Sequence, residues 1–292
     1  MRLFVNYTLN GITEGMIGAA VALGLVLVWR STRVLNFAQG AMAMITTYIA
    51  DAALEHQVGY WAAFVVALAA GFVIGGLVER VVIRPVENRN ALDAVIVAIG
   101  VLIFIEALAG GIWGSSQRGF PSPFSQIGFR VGGQGIELDP FDVFTIAAVL
   151  GLMLLMLLGF RKTSVGLRMR AAAFAPEVAG LLGVRVKRMF TLGWALAAAA
   201  GSLAGLFVAP RVFLSPSNMD TVLIYGFTAA IIGGLESPLG ALVGGLVSGL
   251  ALSYVGGYLG SSFQPIGAVG LLVVVLMVRP AGLFSSAEQR RV

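Results

Sequence analysis

Carboxylates within long apolar segments are the side chains of this sequence best suited to chemistry. Glu14 and Glu106 lie deepest in such segments. A charged side chain at the centre of a bilayer costs about 2.5–3.5 kcal/mol on insertion scales, so it usually faces a path, a partner helix or a basic residue. We expect Glu14 to line a path or contact a substrate ammonium group, with Glu106 as a second candidate. Pairing with an arginine, or a shallower depth, is the alternative for Glu14.

Three further polar residues lie at the edges of apolar segments. Asn36 and Gln39 precede Gly40 at the start of one segment, where unwound backbone could line a cavity. The alternative for Asn36 is a helix N-cap. Glu236 stands at a break between two apolar segments and completes the expected path.

The sequence lacks the residues that enzyme active sites and metal sites commonly use. The chain has no cysteine and a single histidine, His56, so thiol catalysis and a histidine-rich metal cluster are not expected. It contains neither the Gly-x-x-x-x-Gly-Lys-Ser/Thr pattern of a phosphate-binding loop nor His-Glu-x-x-His. We therefore expect no enzyme and no bound cofactor. The net charge of +5 is carried in short loops, so it indicates membrane orientation rather than nucleic-acid binding.

The basic segment 161–188 carries its own helix signals. Pro176 suits a first helical position, Glu177 complements the helix dipole, and Gly183 permits a left-handed stop. Three side chains at i, i+3 and i+4 give an apolar face: Val178, Leu181 and Leu182. We predict a short helix outside the membrane, preceded by a second helix over 165–174. It rests either on lipid headgroups or in a groove on a soluble partner.

The elements that position these residues are membrane helices. Hydrophobic residues make up 58% of the chain and charged residues 11%, whereas soluble domains have about 25% charged residues. One all-α transmembrane domain, residues 1–292, is therefore predicted. About 20 apolar residues span a bilayer, and nine segments approach this length: 9–29, 36–54, 60–83, 91–113, 140–160, 189–209, 223–236, 238–258 and 263–279. The two segments beside Glu236 could instead form one broken helix or a helical hairpin. Glycines four residues apart, such as Gly71 and Gly75, predict close helix packing.

Loop charges orient the bundle. Most of the 19 basic residues fall in or beside the loops 30–35, 84–90 and 161–188 and the C-terminus. Basic residues favour the cytoplasmic side, so we expect the N-terminus outside and the C-terminus in the cytoplasm. The segment 114–139 then becomes an external loop.

An ordered set of motifs resembles the branched-chain amino acid ABC transporter permease family. The stretch from Thr163 to Ala173, followed by Pro176 to Val184, resembles the coupling loop that docks on the ATPase. Further similar motifs occur in the family's order along nearly the whole chain: Asn10 to Gly15, Leu35 to Gly40, Glu79-Arg80 with Arg84-Pro85, Gly233 to Gly240, and Arg279 to Phe284. The departures from the family pattern are Glu14, Gln39 and Glu236, and they bear on the substrate more than on the family.

The resemblance implies half of a two-subunit pore in the bacterial inner membrane. Its implied partners are a second related permease, two ATP-binding subunits and an extracytoplasmic solute-binding protein, with ATP used by the partners. It implies import of branched-chain amino acids or related solutes such as amides and urea. The implied coupling residues are Ala173, Pro176, Glu177, Leu181, Leu182 and Gly183. The alternative function is an ion- or proton-coupled secondary transporter that uses Glu14 and Glu106, with the break from Glu236 to Gly240 as its ion site.

Overall fold

The structure is a computed structural model that describes residues 2–86, 91–131 and 134–284. In these ranges the chain is a bundle of α-helices, as predicted. Two short strands, β1 (Arg130–Val131) and β2 (Gln134–Gly135), form an antiparallel hairpin in the segment 114–139.

Eleven α-helices follow one another along the described chain: α1 (Arg2–Thr32), α2 (Gln39–Glu55), α3 (Tyr60–Leu77), α4 (Ala91–Trp113), α5 (Pro140–Lys162), α6 (Ser164–Phe174), α7 (Pro176–Leu181), α8 (Val186–Val212), α9 (Asp220–Gly233), α10 (Pro238–Leu259) and α11 (Gln264–Val278). A π-helical turn, Val78–Ile83, continues α3, and a 3₁₀ turn, Ser261–Phe263, precedes α11.

Each predicted membrane segment coincides with a helix. Seven helical segments of the described chain are long and apolar enough to cross a membrane. The other two predicted segments are shorter: α2 has 17 residues and α9 has 14. The break around Glu236 separates α9 from α10, which pack against each other, so the hairpin alternative is confirmed.

The first helix begins at Arg2 rather than near residue 9. Its early polar residues are satisfied by α10, because Tyr7 donates to the carbonyl of Gly257 at 3.1 Å and the hydroxyls of Thr8 and Tyr254 lie 2.8 Å apart. Interhelical hydrogen bonds of this kind let polar residues extend a helix that hydropathy alone would start later.

The centre of the bundle is built from α1 and α8. The most apolar stretch of α1 is 89% buried and that of α8 is 83% buried, whereas the stretch containing α11 is only 6% buried. Because α1 packs mainly on α8, α9 and α10, the first helix is enclosed by helices from the second half of the chain.

Small residues allow these helices to approach closely. A methyl group at Gly75 of α3 would lie 2.5 Å from the carbonyl oxygen of Trp194 in α8. A methyl group at Gly205 of α8 would lie 2.7 Å from the carbonyl of Ala43. The close packing predicted from the four-residue glycine spacing is confirmed.

The π-helical turn after α3 joins Glu79 to Arg84, five residues later. The Glu79 side chain is fully buried, and Arg84 donates to its two carboxylate oxygens at 3.1 and 2.7 Å. Arg84 also donates to the Lys187 carbonyl at 3.2 Å and the Thr191 hydroxyl at 2.7 Å. This group therefore fastens the end of α3 to the first turns of α8.

Candidate functional site

A cavity of about 520 Å³ lies between α1, the end of α8 and the start of α9. Its wall carries both charged and uncharged polar side chains: Glu14, Gln117, Arg211, Ser215, Ser217, Asn218, Thr221, Tyr225 and Gln264. Apolar residues from α1 and α8 complete it. A space of this size, mostly apolar with a few polar groups, is suited to a small solute.

The start of α9 is brought to this cavity by a turn in the chain. After α8, Phe213 adopts a positive φ of 63°, and Leu214 pairs with Arg118 through two backbone hydrogen bonds. Residues 215–219 then lead into α9, whose first turns place Thr221 and Tyr225 on the cavity wall. A methyl group on Gly40 would meet the Met219 carbonyl at 3.3 Å, so α9 starts beside the start of α2. The N-terminus of α9, with Asp220 in its first turn, therefore lies close to the cavity.

Glu14 is a wall residue without an ionic partner in the described chain. Arg211 is close enough to Glu14 for their opposite charges to attract each other. The guanidinium of Arg211, however, forms its ion pair with buried Asp142. Arg211 also lies 5.2 Å above the Phe141 ring. Because Arg211 is held by Asp142, the Glu14 carboxylate can receive a cationic group. A role for Glu14 in transport remains a prediction.

Asn36 and Gln39 form a buried amide network instead of a cavity wall. Both are fully buried, and Asn36 Nδ2 donates to Gln39 Oε1 at 2.9 Å. Gln39 Nε2 donates to the Ala197 carbonyl of α8 at 2.7 Å. The N-cap position of α2 is Ala38, whose N–H bonds to Asn36 Oδ1, so the alternative that Asn36 is the N-cap is wrong by two residues. The geometry assigns these amides to helix positioning, because their hydrogen bonds join the start of α2 to α8.

Glu106 and Glu236 lie outside the residues that line this cavity. Glu106, in α4, is half-buried and lies near Asp220 at the start of α9. Glu236 forms an ion pair with Arg33, and 46% of its side chain is exposed. Glu236 lies in the turn between α9 and α10, and its exposure and ion pair with Arg33 are typical of a residue at the end of the bundle. Of the expected path residues, Glu14 alone is on this wall.

The two predicted helices of the basic loop are confirmed as α6 and α7. Thr163 caps α6 by accepting from the Gly166 N–H at 3.0 Å. Pro176 opens α7, Glu177 lies in its first turn, and Gly183 follows it with φ +81°.

The apolar face of α7 points away from the bundle. Ala179 packs inward with 3% of its surface exposed, whereas Leu181 and Leu182 are 89% and 80% exposed. Phe174, at the end of α6, is 85% exposed, and Ala173 beside it is half-buried. Such a projecting apolar face is typical of a helix that inserts into a groove.

Several wall residues were not predicted from the sequence. Arg211, Asn218, Thr221 and Tyr225 have no role assigned in the sequence analysis. The polar run Ser215 to Asn218 just before a short apolar segment was the available signal. Polar residues before a helix too short to span a membrane are typical of a discontinuous membrane helix.

Comparisons with known proteins cover nearly the whole chain. Residues 7–279 match the family profile described as "Branched-chain amino acid transport system / permease component". The chain is 32% identical over 307 residues to the high-affinity branched-chain amino acid transport system permease protein LivH of Escherichia coli (strain K12), covering 99% of this chain and 98% of that protein. It is 28% identical over 304 residues to the corresponding permease protein BraD of Pseudomonas aeruginosa, with the same coverage.

A solved structure has a similar fold. It is titled "PsaBC from Streptococcus pneumoniae in complex with Fab" and aligns with a TM-score of 0.52 over 96% of this chain and 93% of that chain. At 13% identity, this likeness concerns the fold alone.

Proposed function

This chain belongs to the branched-chain amino acid transport permease family, and we propose that it forms half of the membrane pore of an ABC importer. The family match over residues 7–279 is the observation that carries this proposal. The chain is a multi-pass transport subunit. Its substrates are branched-chain amino acids or related small polar solutes such as amides and urea, and it has no ATPase site of its own.

The complete transporter contains partners that supply energy and substrate. We assign to it a second related permease subunit, identical or different, two ATP-binding subunits that use ATP, and an extracytoplasmic solute-binding protein. The chain lies in the bacterial inner membrane with its N-terminus outside and its C-terminus in the cytoplasm. The exposed apolar face of α7 supports an ATPase partner, because such a face is stabilised by burial in a groove.

Coupling passes through the segment 161–188. When the ATPases close on ATP, they move α7, which sits in their groove through Leu181 and Leu182. Pro176, Glu177 and Gly183 fix the start, charge and end of this helix, and α6 with Ala173 connects it to the membrane helices. The helices then tilt and open the cavity alternately to the two sides of the membrane.

The cavity passes the solute without holding it tightly, because affinity resides in the solute-binding protein. For an amino acid, Glu14 contacts the ammonium group. The carboxylate of the amino acid lies toward the hydroxyl of Thr221, which is on the same cavity wall. The two charges of the substrate thus meet different residues of one cavity wall.

Reconstitution tests this function directly. The chain is co-expressed with the permease, ATPase and binding-protein genes of its own operon or genome, purified as a complex and placed in vesicles. We expect leucine uptake that requires both ATP and the binding protein. Uptake without ATP, driven by an imposed proton gradient, would favour the secondary transporter instead.

A further inference from the structure

A second cavity, of about 310 Å³, lies where α1 ends and α10 begins. Three arginines from different helices line it: Arg30 of α1, Arg161 of α5 and Arg170 of α6. It therefore lies at the base of the loop that carries α6 and α7, far along α1 from Glu14.

The positive charges of this second cavity are not balanced. In the described chain, Arg30, Arg161 and Arg170 make no hydrogen bond or ion pair, although Arg30 lies 5.9 Å above the Phe160 ring. The carboxylate on the wall, Glu236, is already paired with Arg33. Because Arg33 neutralises this carboxylate, the three arginines on the wall leave three positive charges among the described residues. Arg170 is also close enough to Arg30 for the two charges to repel each other.

The N-terminus of α10 also favours an anion in this second cavity. Ser237 caps the 22-residue helix, and its hydroxyl accepts the Gly240 N–H at 2.9 Å. Ser237, Pro238 and Leu239 all lie on the cavity wall. A helix N-terminus carries about half a positive charge, so it acts in the same direction as the arginines.

The remaining wall is apolar. Leu157, Phe160, Leu239 and Phe284 enclose the space beside the arginines. A ligand that fits this surface has an anionic group for the guanidiniums and an apolar body for these side chains. Basic pockets between membrane helices near the membrane surface bind phospholipid headgroups for this reason.

We propose that this cavity binds a phosphate group, presented by the headgroup of an anionic phospholipid. Phosphate oxygens accept paired hydrogen bonds from the planar guanidinium groups, which are stronger than neutral ones. The bound phosphate relieves the repulsion between Arg30 of α1 and Arg170 of α6 and joins the base of the loop to the bundle. This site does not depend on the transported solute, so it stands apart from the proposed function.

Titration of the purified full-length chain in neutral detergent tests the site. The probes are dihexanoyl phosphatidylglycerol, dihexanoyl phosphatidylcholine and inorganic phosphate, with binding followed by tryptophan fluorescence and by the melting temperature. Arg161→Gln and Arg170→Gln remove wall charges on exposed side chains, so folding is retained. Arg168→Gln is the matched control, because it removes an exposed charge from the same helix without touching the cavity.

We expect phosphatidylglycerol to bind the native chain about tenfold or more tightly than phosphatidylcholine. Arg161→Gln and Arg170→Gln should each weaken phosphatidylglycerol binding about tenfold, the effect of one charged hydrogen bond, whereas Arg168→Gln should not. Inorganic phosphate binding as tightly as phosphatidylglycerol would support the phosphate site with the free ion as its source. Equal binding of both lipids with no phosphate binding, or equal effects of Arg168→Gln and Arg170→Gln, would overturn the proposal.

Discussion

The side-chain amide of Gln39 donates to the carbonyl oxygen of Ala197, 2.7 Å away in the body of α8. Its own oxygen accepts from Asn36, so two amides join the non-helical entry of α2 to a central helix. A methyl group at Gly201 would lie 2.5 Å from the Gln39 nitrogen. The network therefore depends on close approach as well as on the amides.

Gln39→Leu should destabilise the chain by about 1–3 kcal/mol, because the Ala197 carbonyl and the Asn36 amide would lose their buried partner. Thermal unfolding of the purified chain in detergent measures the effect. Gln117→Leu, on an exposed side chain, is the control and should unfold near the native temperature. Equal melting temperatures for both variants would mean that the amide network contributes little.

Gly75→Ala should destabilise the packing of α3 against α8 by about 1–3 kcal/mol, since backbone must move to admit the methyl group. Gly100→Ala serves as the control because a methyl group there meets open space. The control should be neutral or stabilising by up to about 1 kcal/mol. Chemical denaturation compares the two, and a tolerated Gly75→Ala would show that α3 can shift freely.

Glu14→Gln should slow uptake of amino acids about tenfold, because the ammonium group loses a charged hydrogen-bond partner. Uptake of an uncharged amide should change little. Initial rates in reconstituted vesicles measure both. Glu137→Gln is the control, since Glu137 pairs with Asn10 and lies outside the lining of the cavity. If the uptake rates of the amino acid and of the amide fell equally, Glu14 would have a structural role.

Replacing Leu181 and Leu182 together by serine should weaken binding of the ATPase subunits by at least about tenfold. Burying one leucine contributes about 1.5–3 kcal/mol, and both side chains are exposed in the isolated chain. Affinity purification with quantification of the bound ATPase measures the loss. Leu167→Ser, on an exposed side chain of α6, should leave the complex intact. Unchanged ATPase binding would remove α7 from the interface.

Gly183→Val should separate ATP hydrolysis from uptake in the assembled transporter. The glycine has φ +81°, and a β-carbon in this conformation costs about 1–2 kcal/mol. A side chain added at Gly180 also meets open space, but Gly180 has no positive φ. Gly180→Val is therefore the control that separates the backbone effect from the added side chain. The ratio of leucine transported to ATP hydrolysed is the measurement. Glu177→Lys should lower the same ratio, because it reverses a charge in the first turn of α7. A normal ratio in both Gly183→Val and Glu177→Lys would exclude a coupling role.

Local signals allowed much of this architecture to be predicted. Pro176 and Gly183 mark the two ends of α7 within the sequence itself, and the structure places the helix between them. Membrane segments were found for the same reason, because a long apolar run needs no knowledge of distant residues.

Features that depend on distant residues were not predictable in this way. Arg211 lies on the cavity wall because Asp142, 69 residues earlier, holds it there. The roles of Asn36 and Gln39 depend on an α8 carbonyl that no local pattern reveals. Glu236 was expected on the path, and its ion pair with Arg33, 203 residues earlier, could not be seen in the local sequence.

The π-helical turn after α3 has a mechanical consequence. The π-helical turn brings Arg84 beside Glu79, five residues earlier. The same guanidinium group donates to the carbonyl of Lys187 in the first turn of α8. We therefore expect a displacement of α7 to move the end of α3 and the first turns of α8 together. Deleting one residue from the π-helical turn would rotate the residues after it by about 100°. We expect this rotation to break the hydrogen bonds of Arg84 and to let α8 move without α3.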